Sequence, residues 1–231
     1  MNEALCWNES FECLLKQGFY VFREIGTSEE TLRRLLSKIG VCVNGIFEEA
    51  IGLVKFDPCI PTRPNSIAYS ASEMRPHTDG TFEQIPPKHI LLQCVQSDQY
   101  GYGVTTIVDG NTIYDIVSST TKNPESALFV FSRREKFTNV EVTGSIFFPI
   151  EETGGIGIRF RSDTKYSIKP LSPFANHVLN LVQTAVNDIQ NSQQVYLRTG
   201  DAIWLLNHRV LHGRTALSGL SRRILRRARL N

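Results

Sequence analysis

From about residue 67 onward the chain is a succession of short segments rich in β-branched and aromatic residues, separated by turn chemistry. No other feature constrains its fold as tightly. Ile67–Ser70, His89–Gln96, Thr105–Asp109, Ala127–Phe131, Lys136–Val142, Ser145–Ile150, Ile156–Phe160 and Ala202–Leu206 each read as a strand. One helix interrupts the series. Ser172 and Pro173 supply a start and a first-turn proline, and Phe174, Val178, Leu179, Leu181, Val182, Val186 and Ile189 form an apolar stripe near helical period. Upstream, Gly18–Phe22 has strand character. Thr27 and Glu30 read as a capping box opening a helix through Leu36 and Ile39, which Gly40 ends. Pro58, Pro61 and Pro64 predict an irregular loop over residues 56–66. Many short strands with a few helices predict a mainly β fold, a sandwich or open barrel with helical buttresses.

The 231 residues, 41% of them hydrophobic, suffice for one domain with a substantial core, expected over residues 1–231. A net charge of +2 offers no global attraction to nucleic acid or membrane. Cys6, Cys13, Cys42, Cys59 and Cys94 are odd in number and lack C-x-x-C spacing, which fits a reduced chain. The N-terminus has no apolar run of the signal-peptide kind, and no segment approaches the roughly 20 apolar residues of a membrane span. A cytoplasmic protein is the expectation.

His77 and Asp79 stand at i and i+2, so on an extended segment both side chains reach one side. Two histidines and one carboxylate can hold Fe(II) on one face and leave the opposite positions open. The second histidine must come from elsewhere. His177 falls in the amphipathic helix and His89 at a strand start, which leaves His208 and His212. Gly213, after His212, permits close backbone approach.

The C-terminal Arg222, Arg223, Arg226, Arg227 and Arg229 are interleaved with Ile224, Leu225 and Leu230, unlike a solvated basic tail. In a strand, Arg223 and Arg227 share one face with Leu225 between them, roughly 13 Å apart. A short helix is the other local possibility. Guanidinium groups bind carboxylates bidentately, which suits a dicarboxylate such as 2-oxoglutarate. Glu73, four residues before His77, can accept a hydrogen bond from a cationic amine, and Arg227 suits an anionic group.

Four motifs in order then resemble the Fe(II)/2-oxoglutarate-dependent oxygenases of the taurine dioxygenase and clavaminate synthase-like group. His77-Thr-Asp79-Gly-Thr-Phe82 with Pro86-Pro87 resembles its first ligand motif. Tyr102-Gly-Val-Thr105-Thr-Ile-Val-Asp-Gly110 resembles its co-substrate strand, and Asn207-His-Arg-Val-Leu-His212-Gly-Arg its distal-histidine motif. Arg223 falls at the position of its co-substrate arginine, eleven residues after His212. The resemblance implies a double-stranded β-helix (a cupin-like jelly roll), with Fe(II) on His77, Asp79 and His212. It implies that Thr105 and Arg223 hold 2-oxoglutarate, and that Arg227 touches substrate or co-substrate. It also implies that O2 is consumed and that a C–H bond of a small polar, amino-acid-like or anionic substrate is oxidised. Asp79 disfavours halogenation, since family halogenases lack that carboxylate. The competing classes fit less well. A non-redox acid-binding β-barrel has no need of His77 with Asp79, and a 2-oxoglutarate-independent cupin-like metalloenzyme has none of Thr105 with Arg223. Nucleic-acid binding would call for a further basic stretch.

Overall fold

The computed structural model describes residues 3–46, 48–55, 69–134, 139–150, 154–163 and 165–231. In chain order the first elements are α1 (Glu3–Gln17), β1 (Phe19–Phe22), α2 (Glu29–Ile39), β2 (Ile51–Lys55), β3 (Met74–His77), β4 (His89–Gln96), β5 (Thr105–Asp109) and α3 (Gly110–Thr120). Then come β6 (Phe129–Arg134), β7 (Asn139–Gly144), β8 (Phe147–Ile150), β9 (Gly155–Ile158), β10 (Tyr166–Pro170) and α4 (Pro173–Asn187). The chain closes through β11 (Ser192–Val195), β12 (Ala202–Leu206), β13 (Val210–Arg214) and β14 (Ile224–Leu230).

Two antiparallel sheets face each other. The larger runs β1-β12-β4-β14-β2 and the smaller β11-β5-β13-β3. Alternation along each strand decides what lies between them. Ile90, Leu92 and Cys94 of β4, Ile203 and Leu205 of β12 and Leu225 of β14 meet Ile107, Val195 and Val210 from the smaller sheet in one buried cluster. The intervening residues Leu91, Ala202, Trp204, Ala228 and Leu230 point the other way, onto Leu14 of α1 and Leu32 and Leu36 of α2. Both faces of the larger sheet are therefore covered, which is why β4 and β12 read as nearly unbroken apolar runs. Behind the smaller sheet, Val108 and Leu211 pack with α3, α4 and β6 in a third cluster. The result is a double-stranded β-helix buttressed by helices on both outer faces.

Three of the expected strands, β4, β5 and β12, have the expected bounds. Those expected around Ala127, Lys136, Ser145 and Ile156 are present as β6 to β9 with ends displaced by at most three residues. The expected strand Ile67–Ser70 does not form over its described part, because Tyr69 and Ser70 lie in a tight turn; residues 67 and 68, and the loop expected over 56–66, fall outside the described residues. The cap of α2 is Ser28 rather than Thr27, its hydroxyl accepting from Thr31 N at 3.1 Å. Gly40 ends that helix as expected, donating to Leu36 O. The C-terminal arginines lie on a strand. Of the elements not foreseen, β3 contains Pro76, tolerable because β3 is the edge of its sheet. In α3, which begins on glycine, the start signal is Asp109, whose carboxylate accepts from Asn111 N at 3.0 Å. No helix among the described residues is long and apolar enough to cross a membrane.

His89 heads β4, and its Nδ1 accepts a hydrogen bond from Trp204 Nε1 at 3.2 Å. Burial, with His208 and Lys88 nearby, pushes its pKa down to about 4. The unfolded chain therefore binds a proton between pH 6.5 and 4 that the folded chain refuses. The stability that neutral His89 contributes is complete above pH 6.5 and lost as pH falls through that window. Urea midpoints measured from pH 7 to 4 should fall, and His89→Gln should flatten that part of the profile.

Candidate active site

β13 lies between β5 and β3, and its register fixes the site. His212 is paired with His77 across the β3–β13 ladder, so the two side chains leave the same face and their ring centroids are 4.5 Å apart. A Cβ at Gly213 would collide with Met74 O and approach Thr106 Oγ1 to 2.7 Å, so only glycine lets the three strands come this close beside His212. Asp79 follows in a turn that closes over Gly80, at φ +72°. Thr78 secures that turn: its hydroxyl accepts from Phe160 N at 3.0 Å.

Asn207, at the end of β12, ties the turn to the distal-histidine segment. Its Oδ1 accepts from Asp79 N at 2.8 Å, and its Nδ2 donates to Asp79 O at 3.0 Å and Pro87 O at 2.8 Å. His77 Nδ1 lies 2.9 Å from Arg75 O; donation there leaves Nε2 as the ligand atom, 3.5 Å from Asp79 Oδ1. Ligand atoms of His77, Asp79 and His212 all lie within 4.8 Å of one another, and all three residues are buried.

The electrostatics favour a cation. Burial alone would raise the Asp79 carboxyl. Arg227, the His77 hydrogen bond and the two imidazoles instead hold it well below the usual carboxylate range. Burial, reinforced by His77, lowers His212 to about 3, so its imidazole is neutral and its lone pair available. His212 Nδ1 is buried with no hydrogen-bond partner among the described residues, a costly state for an imidazole nitrogen. Two imidazoles and one carboxylate gathered in a buried site, with one imidazole nitrogen left without a partner among the described residues, fit a divalent transition metal such as Fe(II).

The structure places the remaining expected residues as follows. Thr105 and Ile107 stand opposite Arg214 and His212 in the β5–β13 ladder, so Thr105 looks into the space between the sheets one pleat repeat from His212. Arg223 is buried at the head of β14, its side chain laid over Gly103. Arg222 is exposed and takes no part. Burial lowers the Arg223 guanidinium, and Cys94 and Asp98 oppose that shift. Arg214 is buried on the same side and lowered to about 10 by burial and by Arg223. Arg214 donates to Ser70 O and to Thr215 O at 3.2 Å, and the two buried guanidiniums together suit an anion. Arg227 lies nearer the triad, donating to Asp79 Oδ2 at 3.1 Å and Glu48 Oε2 at 2.5 Å. Glu73 is exposed, on the rim of a cleft that reaches His77. Of the other histidines, His208 is turned toward Phe148 and Pro86, and His177 is exposed on α4.

Sequence reasoning left out Asn207, Glu48 and Arg161. Asn207 stood inside a quoted motif, and its position at a strand end beside the histidine segment was its only signal. Glu48 and Arg161 reach the site from distant loops and carry no local pattern.

A double-stranded β-helix that gathers two histidines and one carboxylate on a single face, with arginines deeper in the barrel, defines the mononuclear non-haem iron oxygenases that use a 2-oxo acid. Residues 2–229 match the family model described as taurine catabolism dioxygenase TauD, TfdA family, and the chain belongs to that family. It is an Fe(II)- and 2-oxoglutarate-dependent oxygenase. Among curated proteins it is 23% identical over 188 residues to 3-((Z)-2-isocyanoethenyl)-1H-indole synthase of Fischerella ambigua (strain UTEX 1903), covering 75% of this chain and 69% of that one. Among solved structures, PvcB of Pseudomonas aeruginosa superposes with a TM-score of 0.71 at 18% identity, over 97% of this chain and 79% of PvcB. Asparagine oxygenase, solved with Fe(II), 2S,3S-3-hydroxyasparagine and succinate, gives 0.71 at 13% identity over 98% and 79%. OrfP, solved with Fe, succinate and (3R,4R)-dihydroxy-L-Arg, gives 0.68 at 14% over 100% and 81%.

Asn207→Ala should free the Asp79 turn while leaving all three ligands in place. Fe(II) or Co(II) titration should show affinity reduced about 10- to 100-fold, the usual effect of losing a group that orients a ligand. Equal affinity in wild type and variant would mean that the ladder alone positions Asp79.

Proposed function

We propose that His77, Asp79 and His212 hold the iron, that Thr105 and Arg223 seat 2-oxoglutarate, and that the enzyme hydroxylates a C–H bond of a small amino-acid-like substrate. When bound, the iron couples cleavage of 2-oxoglutarate by O2 to substrate oxidation, one oxygen atom leaving in succinate, with CO2, and the other entering the substrate C–H bond. The observation that carries this reading is the buried triad aligned along one barrel with a buried arginine and threonine.

The chain's own residues divide the work. Arg223 and Thr105 take the distal carboxylate of the co-substrate, which fixes how far its 2-oxo acid end extends toward the triad. Arg227 holds Asp79 Oδ2, which turns Oδ1 toward His77 and presents a single oxygen to the metal. Glu48 takes the other amino group of Arg227 and keeps that arginine in line. The buried turn from His77 to Phe82 excludes bulk water from the ligands. Asparagine oxygenase and OrfP are solved with hydroxylated amino acids bound, which supports a small polar substrate here.

Anaerobic addition of Fe(II) together with 2-oxoglutarate should produce a weak visible charge-transfer band that neither gives alone. Arg223→Leu should weaken 2-oxoglutarate binding about 10- to 100-fold, the range for losing a charge-assisted hydrogen-bonded pair. A band independent of 2-oxoglutarate, or one unaffected in Arg223→Leu, would refute this assignment.

A further inference from the structure

Four guanidiniums crowd the metal triad, and all four pair with carboxylates, three of them through their terminal nitrogens. Arg227 bridges Asp79 and Glu48. Arg229 bridges Glu48 at 3.1 Å and Glu83 at 2.6 Å. Arg133 pairs with Glu48 at 3.0 Å and lies over the rings of Phe82 and Tyr166. Arg161 differs. Its Nε donates to Asp163 Oδ2 at 2.9 Å, and its guanidinium carbon sits 3.7 Å from the centre of the Tyr166 ring. These two contacts fix the plane of the group but use only one of its nitrogens. Its Nη1 is 3.7 Å from Asp79 Oδ1, beyond hydrogen-bond reach and beside the oxygen that faces His77.

Arg161 also lines a cleft of about 350 Å³ between β3, residues 160–163 and the C-terminal half of α4. The cleft reaches His77, and Glu73 and Arg75 stand on its β3 wall. Its volume suits a small ligand. Asp163, which holds Arg161 Nε, lines the cleft as well. A planar, pre-oriented guanidinium whose terminal nitrogens make no hydrogen bond among the described residues matches a carboxylate, and an exposed carboxylate on the same cleft matches an ammonium.

Resting on the oxygenase reading above, we propose that Arg161 is the substrate's carboxylate anchor and Glu73 the acceptor for its ammonium group, so that the substrate is a free α-amino acid. Arg227, the anion contact expected from the sequence, then acts on substrate only through Asp79 and Glu48. The pair of end groups would hold the backbone of the amino acid along the cleft wall and direct its side chain at the triad.

The test uses the full chain loaded anaerobically with Fe(II) and 2-oxoglutarate, following the visible band as ligand is added. The probes are L-asparagine, L-arginine, L-leucine and L-tyrosine, each beside its α-carboxamide and its N-acetyl derivative. At least one free amino acid should shift the band, with its amide binding about tenfold or more weakly. In R161M the band should still form, and the preference for acid over amide should vanish; R161K should keep part of it. E73Q should erase the preference for a free ammonium over the N-acetyl group. Acids and amides acting alike, including both failing to act, would overturn the proposal, as would full discrimination in R161M. The wild-type comparison of acid with amide stands even if R161M does not fold. Absence of any band in the wild type would instead refute the oxygenase reading itself.

Discussion

The register between β13 and β3 is the constraint on which the site depends. Because directly opposed residues in an antiparallel ladder share a face, pairing His212 with His77 is enough to set two imidazoles side by side. A slip of one residue would turn His212 outward and bring Leu211 in. That register is held by β5 on the other side of β13 and by the close packing that Gly213 permits. Asp79 is then delivered by a turn rather than by the ladder, which is why Asn207 is needed to bind both of its backbone polar groups.

β14 supplies the charge. Its inner face presents Arg223, Leu225, Arg227 and Arg229 in alternation, with Leu225 in the core between the sheets. The strand thus carries guanidiniums to two depths of the barrel: Arg223 beside Gly103, Arg227 and Arg229 near the triad. Burying so many cations is costly unless each meets an anion. Near the triad the anions are built in, as Asp79, Glu48 and Glu83. Beside Thr105, Arg223 has Cys94 and Asp98 as electrostatic counterweights among the described residues, and Arg214 adds a further positive charge. That imbalance suits the proposed seat of a dicarboxylate better than that of a neutral ligand.

The parts of the fold that were legible are those in which local pattern and tertiary role agree. β4, β5 and β12 are buried on both faces and announce themselves by composition; α4 does so by Ser172, Pro173 and a regular apolar stripe. β3 and β11 are edge strands of polar or proline-containing sequence, stabilised by the strand beside them, so composition says little about them. His77, Asp79 and His212 were legible through motif spacing, although the residues alone left His208 open. What excludes His208 is the turn it sits in: Arg209 N bonds Leu206 O to make that turn, and β13 begins only at Val210.

The residues that could not be read are those whose meaning is relational. Glu48 matters because three arginines from two strands converge on it, and Arg161 because a local acid and a tyrosine hold it still beside a cleft. Neither property exists before the chain is folded. The same distinction separates reaction from substrate in this fold. The residues proposed to hold iron and co-substrate lie on paired strands and the turn that follows β3, where the ladder allows little variation. The residues proposed to meet substrate, 73 and 161, lie off the ladder on connecting segments. Such segments can change without disturbing the triad. A common oxidising centre can therefore serve different substrates, and its chemistry is easier to read from a single sequence than its target.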